Sequence, residues 1–111
     1  MKNNDLRGLD LNGFSNPTTE FNPSIFNDRE KIDLIRIMIR MNFTKTKGFY
    51  RFATSYGLKH HIERRFGDYV SNGELIYAMH LEGFKIKRLN INGLFNLSAT
   101  SLKQFLKIGI K

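Results

Sequence analysis

The chain has 111 residues, the size of one ordinary domain, with 41% hydrophobic residues, ten Phe, no Trp and no Cys; disulfides, thiol catalysis and cysteine-based zinc sites are therefore excluded. Eighteen Lys and Arg against ten Asp and Glu give a net charge of +8, which at this size is the electrostatic footprint of a polyanion binder. No apolar run is long enough to span a membrane, and no apolar segment follows Met1-Lys2-Asn3-Asn4-Asp5 as a secretory signal requires.

Residues 1–28 hold four acidic and only two basic side chains and show no hydrophobic period. They read as an N-terminal arm, partly disordered or docking on the domain or a partner through Leu6, Leu9, Leu11, Phe14, Phe21 and Phe26. Residues 29–111 read as a single basic, helix-rich domain. Asn27 or Asp28 caps a helix from Arg29, with Glu30 in its first turn. Ile32, Ile35, Ile39 and Leu34, Met38, Met41 form a wide apolar stripe on it. A strand reading competes, because Ile35, Ile37, Ile39, Met41 and Phe43 alternate; helix is favoured. Residues 44–48 form a basic loop, and residues 49–52 are expected to begin another helical turn, with Phe49 and Phe52 in the core. Thr54 or Ser55 caps a helix over 56–66, with Leu58, Ile62 and Phe66 on one face and Gly67 closing it.

Ser71 and Glu74 have the spacing of a capping box and start a helix running to Glu82, closed by Gly83. A hairpin follows over about 84–97. Its strands are 84–89 and 94–97, and Asn92-Gly93 is the expected turn. Ser98 or Ser101 starts a last helix bearing Leu102, Phe105 and Leu106. The fold class is therefore mainly α with a small β-hairpin (α+β): a helix-turn-helix followed by a hairpin, winged-helix-like.

No catalytic constellation is visible, and the chain is not expected to be an enzyme. His60 and His61 are adjacent and so point to different helix faces; with no HExxH and few carboxylates, no metal or cofactor site is expected. No glycine-framed serine and no phosphate loop occur. What remains is a basic, aromatic-interleaved surface within residues 45–88. Lys45, Lys47, Arg51, Tyr56, Lys59, His60, Arg64 and Arg65 form its first half, and Lys85, Lys87 and Arg88 its second. Lys and Arg at such density release counterions from phosphates, and exposed aromatics stack on unpaired bases. Asn72, Tyr77 and His80, on the helix that a winged helix would place in a groove, are candidate base contacts. That helix carries no Lys or Arg, and Glu74 and Glu82 on it repel phosphates, so backbone contacts dominate the expectation.

The segments Thr54–Glu63 (TSYGLKHHIE), Tyr69–Ile76 (YVSNGELI), Glu82–Phe84 and Asn92–Leu97 resemble a loose family of small proteins from phages and other mobile genetic elements. In that family a SYGLKH segment precedes a Y-V/I-S-N-G helix start, and an aromatic–Asn pair, here Phe95-Asn96, closes the hairpin. The resemblance covers about residues 49–98. It implies an accessory role in replication, regulation or counter-defence in the cytoplasm of a bacterial host, and supplies no catalytic residue. The expected partner is nucleic acid, DNA rather than RNA, with no membrane. The alternative is a host or replication protein gripped through the same basic face, as by an anti-CRISPR-type inhibitor or a polymerase or primase cofactor.

Overall fold

The computed structural model describes residues 6–16 and 18–108. They form a mixed α+β fold of four helices and two small antiparallel hairpins. The first hairpin pairs β1 (Leu9–Asp10) with β2 (Gly13–Phe14). A short 3-10 turn, Pro23–Ile25, leads to α1 (Arg29–Asn42), α2 (Ser55–Phe66) and α3 (Asn72–Leu81). The second hairpin pairs β3 (Ile86–Leu89) with β4 (Asn92–Phe95), and α4 (Ala99–Ile108) follows.

Local chemistry sets the helix ends. Asp28 caps α1 by accepting from the Lys31 N–H at 3.1 Å, and 29–42 is helix rather than strand. Gly67 ends α2 at φ 86°, a left-handed conformation that only glycine adopts without strain. The Ser71–Glu74 capping box is complete, with both reciprocal bonds present. Ser98 Oγ accepts from the Ser101 N–H at the start of α4.

α3 is the centre of the molecule. Asn72 to Ile76, Ala78 and Met79 are all buried, and α1, α2, β2 and β4 pack around it. The segment read as an arm closes one side of this core: Leu6, Leu9, Phe14 and Phe26 are buried, and Phe26 stacks on Tyr77 with centroids 4.7 Å apart. Its hairpin turn sits on the first residues of α3, where the Gly73 N–H donates to Leu11 O at 3.0 Å. A Cβ on Gly73 would stand 1.9 Å from the Asp10 carbonyl oxygen, so the close approach requires glycine. The Phe14 N–H donates to Ile91 O, tying the first hairpin to the turn of the second. Met1 to Asp5 and Pro17 lie outside the described residues.

Two expectations are corrected. The second hairpin turns at Asn90-Ile91, not at Asn92-Gly93: Leu89 faces Asn92, and Asn90 takes the positive φ of 57°. Gly93 is a strand residue instead. It faces Arg88, and its N–H donates to the buried Ser55 Oγ at 3.0 Å. Residues 49–52 form no helical turn; they run alongside β4, and the Tyr50 N–H donates to Phe95 O. The apolar stripe of α1 is only partly interior: Ile32, Ile35 and Ile39 are buried, whereas Leu34 and Met41 are exposed.

Candidate functional site

The basic loop and the basic strand, separate in sequence, meet across β4. The Thr46 N–H donates to Asn96 O at 2.8 Å, the Ser98 N–H to Thr44 O at 2.8 Å, and Lys45 bridges Leu97. Residues 44–50 thus run beside residues 95–98, while β3 pairs with β4. Asn96, 5% exposed, clamps the two halves. Its Oδ1 accepts from the Lys85 N–H at 2.8 Å and its Nδ2 donates to Thr46 O at 3.1 Å. Lys45, Lys47, Arg51, Lys85, Lys87 and Arg88 are all exposed on this ribbon. Lys45 Nζ lies 4.8 Å from the Phe84 ring centroid, and the Arg88 guanidinium 4.0 Å from that of Phe14. A cation–π contact orients a side chain without cancelling its charge.

The charge pattern follows from the joining. Residues 34–62 and 83–111 contain no Asp or Glu, and the segments that pair, 44–50 with 95–98, lie inside them. Three carboxylates elsewhere on the chain are matched to other cations: Glu74 to Lys31 at 3.0 Å, Glu63 to Lys59 at 3.0 Å, and Glu82 to Arg36 and Arg40 at 2.7 and 2.8 Å. Among the described residues, no ion pair involves Lys45, Lys47, Arg51, Lys85 or Lys87. Hydrogen bonds from Arg40, helped by Arg36 and opposed by burial, pull Glu82 from 4.5 down to about 2. It stays ionised and holds the α1 arginines.

The other expected contacts are distributed differently. The expectation for Lys59 is corrected: it is 5% exposed, with its ammonium on Glu63, so it does not reach a phosphate on the surface. Burial raises Glu63, but hydrogen bonds from the Val70 N–H, Lys59 and His60 outweigh this and lower it. His60 is half-buried against Glu63. Tyr56 is 53% exposed. Arg64 donates to His61 Nδ1 at 2.6 Å. Burial, then the Arg64 and His60 charges, hold His61 below its ordinary range. Arg65 donates to the Phe105 carbonyl and stacks on that ring, so it fastens α4 to α2. The expectation of Asn72 as a base reader in a groove is also corrected: it is buried, with Nδ2 donating to Asn12 O and Asn92 Oδ1. Tyr77 sits in the aromatic cluster with Phe21 and Phe26, and His80 is half-buried near the end of α3. Glu74 faces Lys31 and the Ser71 N–H, away from any role in repelling phosphate.

Phe52, expected in the core, is 87% exposed and edge-on to the half-buried Tyr50 at 5.7 Å. In an extended segment residues two apart share a side, so the alternation 50, 52 is the available signal. Tyr69, 61% exposed, carries no signal in the sequence that singles it out. Among the described residues no three His, Asp or Glu side chains gather as metal ligands, and no helix is long and apolar enough to cross a membrane. Comparison with known proteins finds no matching family model, no matching curated protein and no matching solved structure.

Proposed function

We propose that the protein is a small nucleic-acid-binding accessory protein of a phage or mobile element, acting on DNA in the cytoplasm of its bacterial host. It grips phosphates with the ribbon formed by residues 45–51 and 85–88. One observation carries the reading: two stretches without a carboxylate are hydrogen-bonded side by side. This concentrates cations, of which Lys45, Lys47, Arg51, Lys85 and Lys87 enter no ion pair among the described residues. The winged-helix likeness extends to the order of elements only. α3 is enclosed by the first hairpin, α1 and α2, so recognition rests on backbone contacts rather than on a helix in the major groove.

The test is fluorescence anisotropy with duplex and single-stranded DNA over a salt series. If Lys45, Lys47, Arg51, Lys85 and Lys87 each neutralise one phosphate, log affinity falls against log salt with a slope of about −4.5, at roughly 0.9 per contact. Between about 50 and 200 mM salt that is a loss of roughly 500-fold. Lys47→Glu/Lys87→Glu weakens binding to both forms. A flat salt response, or no binding to either form at low salt, rejects the reading.

A second reading has an observation of its own. Leu34, Ile37 and Met41 stand on one side of α1 at 47, 42 and 77% exposure, an apolar stripe of the kind that marks protein contacts. It suits an accessory or inhibitor protein that binds a host or replication protein. A stoichiometric protein partner recovered after nuclease treatment, and lost in Ile37→Glu/Met41→Glu, favours it.

A further inference from the structure

A cleft of about 530 Å³ opens between the turn of the first hairpin, the first turns of α2, the start of α3 and the turn of the second hairpin. Its volume falls within the roughly 300–1,000 Å³ typical of small-ligand sites. The rim is apolar and aromatic yet exposed: Leu11 45%, Ile91 46%, Tyr56 53% and Tyr69 61%. Lys59 lies within, its ammonium bonded to Glu63 and set 5.5 Å from the Tyr56 centroid and 4.7 Å from that of Tyr69. The two rings are therefore held in place by a buried cation rather than by core packing. Tyr56 also meets His60 edge-on at 4.6 Å.

Asn72 lines the same cleft and is 5% exposed. Its orientation is determined: Nδ2 must face Asn12 O, a backbone acceptor, at 3.1 Å. That leaves Oδ1 buried with no hydrogen-bond donor among the described residues. Such an acceptor is costly to leave unpaired, and because it is fully buried an occupant bearing an N–H supplies what is missing only with a small movement of the cleft wall.

We propose that this cleft receives one unpaired nucleobase, stacked on Tyr56 or Tyr69 with its amino edge toward Asn72. The proposal rests on the phosphate-binding reading and deepens it, because it makes the preferred ligand single-stranded. A flat π-surface with N–H donors at one edge matches both the tyrosine rim and the orphaned acceptor, and a base in a duplex hides both features. Continuity supports the same occupant. Arg51 and the 87%-exposed Phe52 lie four and three residues before the start of α2, and Tyr56 is its second residue, so along the chain the exposed aromatics follow the ribbon into the cleft rim. Alternating cations and stacking rings along one path is how proteins hold single strands.

The test compares a single-stranded oligonucleotide with one of equal length carrying abasic sites. Both have the same phosphates, so only the bases differ. The intact strand is expected to bind about tenfold more tightly, in line with one or two stacked bases. Tyr56→Ala/Tyr69→Ala removes most of that difference, Phe52→Ala, outside the cleft, removes only a small part, and Tyr56→Phe/Tyr69→Phe, which keeps the rings, preserves it; a difference undiminished in the tyrosine-to-alanine variant overturns the cleft proposal. Lys47→Glu/Lys87→Glu weakens both strands alike. Circular dichroism checks that each variant is folded. Equal affinity of the wild-type protein for intact and abasic strands overturns the cleft proposal while leaving phosphate binding standing. Failure to bind either strand at low salt overturns both.

Discussion

Replacing Glu82 by Gln tests how the fold partitions its charge. The carboxylate receives Arg36 Nε at 2.7 Å, Arg40 Nη2 at 2.8 Å and Arg40 Nε at 2.9 Å, and its side chain is only 9% exposed. Its displacement from 4.5 to about 2 corresponds to a ceiling of about 3 kcal/mol, at roughly 1.4 kcal/mol per pH unit. The Arg40 side chain is 59% exposed, and solvent screening there reduces the expected value to about 2 kcal/mol. Because the folded-state value is depressed, this stability is present above about 4.5 and is lost as pH falls through about 2. Urea denaturation of wild type and Glu82→Gln is the assay, since guanidinium would screen the pair. The gap should be about 2 kcal/mol at neutral pH, shrink below pH 4.5 and close near pH 2. A gap that does not change between neutral and strongly acidic pH, or no gap at neutrality, would show that the Arg36–Glu82–Arg40 cluster contributes nothing as an ion pair. The variant also frees two α1 arginines and, by removing one acidic group, raises the net charge from +8 to +9. Non-specific DNA binding should therefore strengthen even as the fold weakens, which separates the two roles of charge.

Asn96→Ala removes the clamp between Lys85 and Thr46. It should cost about 2 kcal/mol in urea melts and weaken DNA binding; unchanged affinity in a folded variant would mean that the loop and strand do not act as one surface. Phe52→Ala should leave stability within about 0.5 kcal/mol, because the ring is 87% exposed, while reducing affinity for single strands; a large stability loss contradicts the exposed placement. A methyl group added at Gly57 meets nothing within 4 Å, whereas at Gly73 it would meet Asp10 O at 1.9 Å. Gly57→Ala should thus stabilise by about 0.5–1 kcal/mol and Gly73→Ala destabilise by about 3 kcal/mol, with the thermal melts moving in opposite directions. His61 should titrate below 6.5 by NMR; its lowered folded-state value means that it favours the fold above 6.5 and weakens it as pH falls through that value. Titration at or above 6.5 would place the imidazole elsewhere.

The features legible in the sequence are those set within a few residues. Asp28 before α1, the Ser71–Glu74 box and Gly67 after α2 each act through hydrogen bonds or backbone angles inside one turn of chain. The misreadings share a long-range cause. Asn92-Gly93 carries turn chemistry, but the register is decided by packing. The Gly93 N–H must reach Ser55 Oγ, and a Cβ there would stand 3.1 Å from Ile86 Cγ2, so the turn moves back to Asn90-Ile91 and glycine serves a crowded strand. Phe49 and Phe52 look like core only if the segment is helical. Once β4 draws it into an extended path, Phe52 projects outward. Lys59 reads as a surface cation until Glu63, one turn on, and the rings of Tyr56 and Tyr69 enclose it. In the same way the positive charge is visible as composition, but its concentration is not. That depends on Asn96 holding together two stretches separated by the whole of α2 and α3. The candidate site is thus a tertiary property: the cations of the ribbon are each readable in sequence, and they come together only because the chain returns residues 95–98 to the loop after α1.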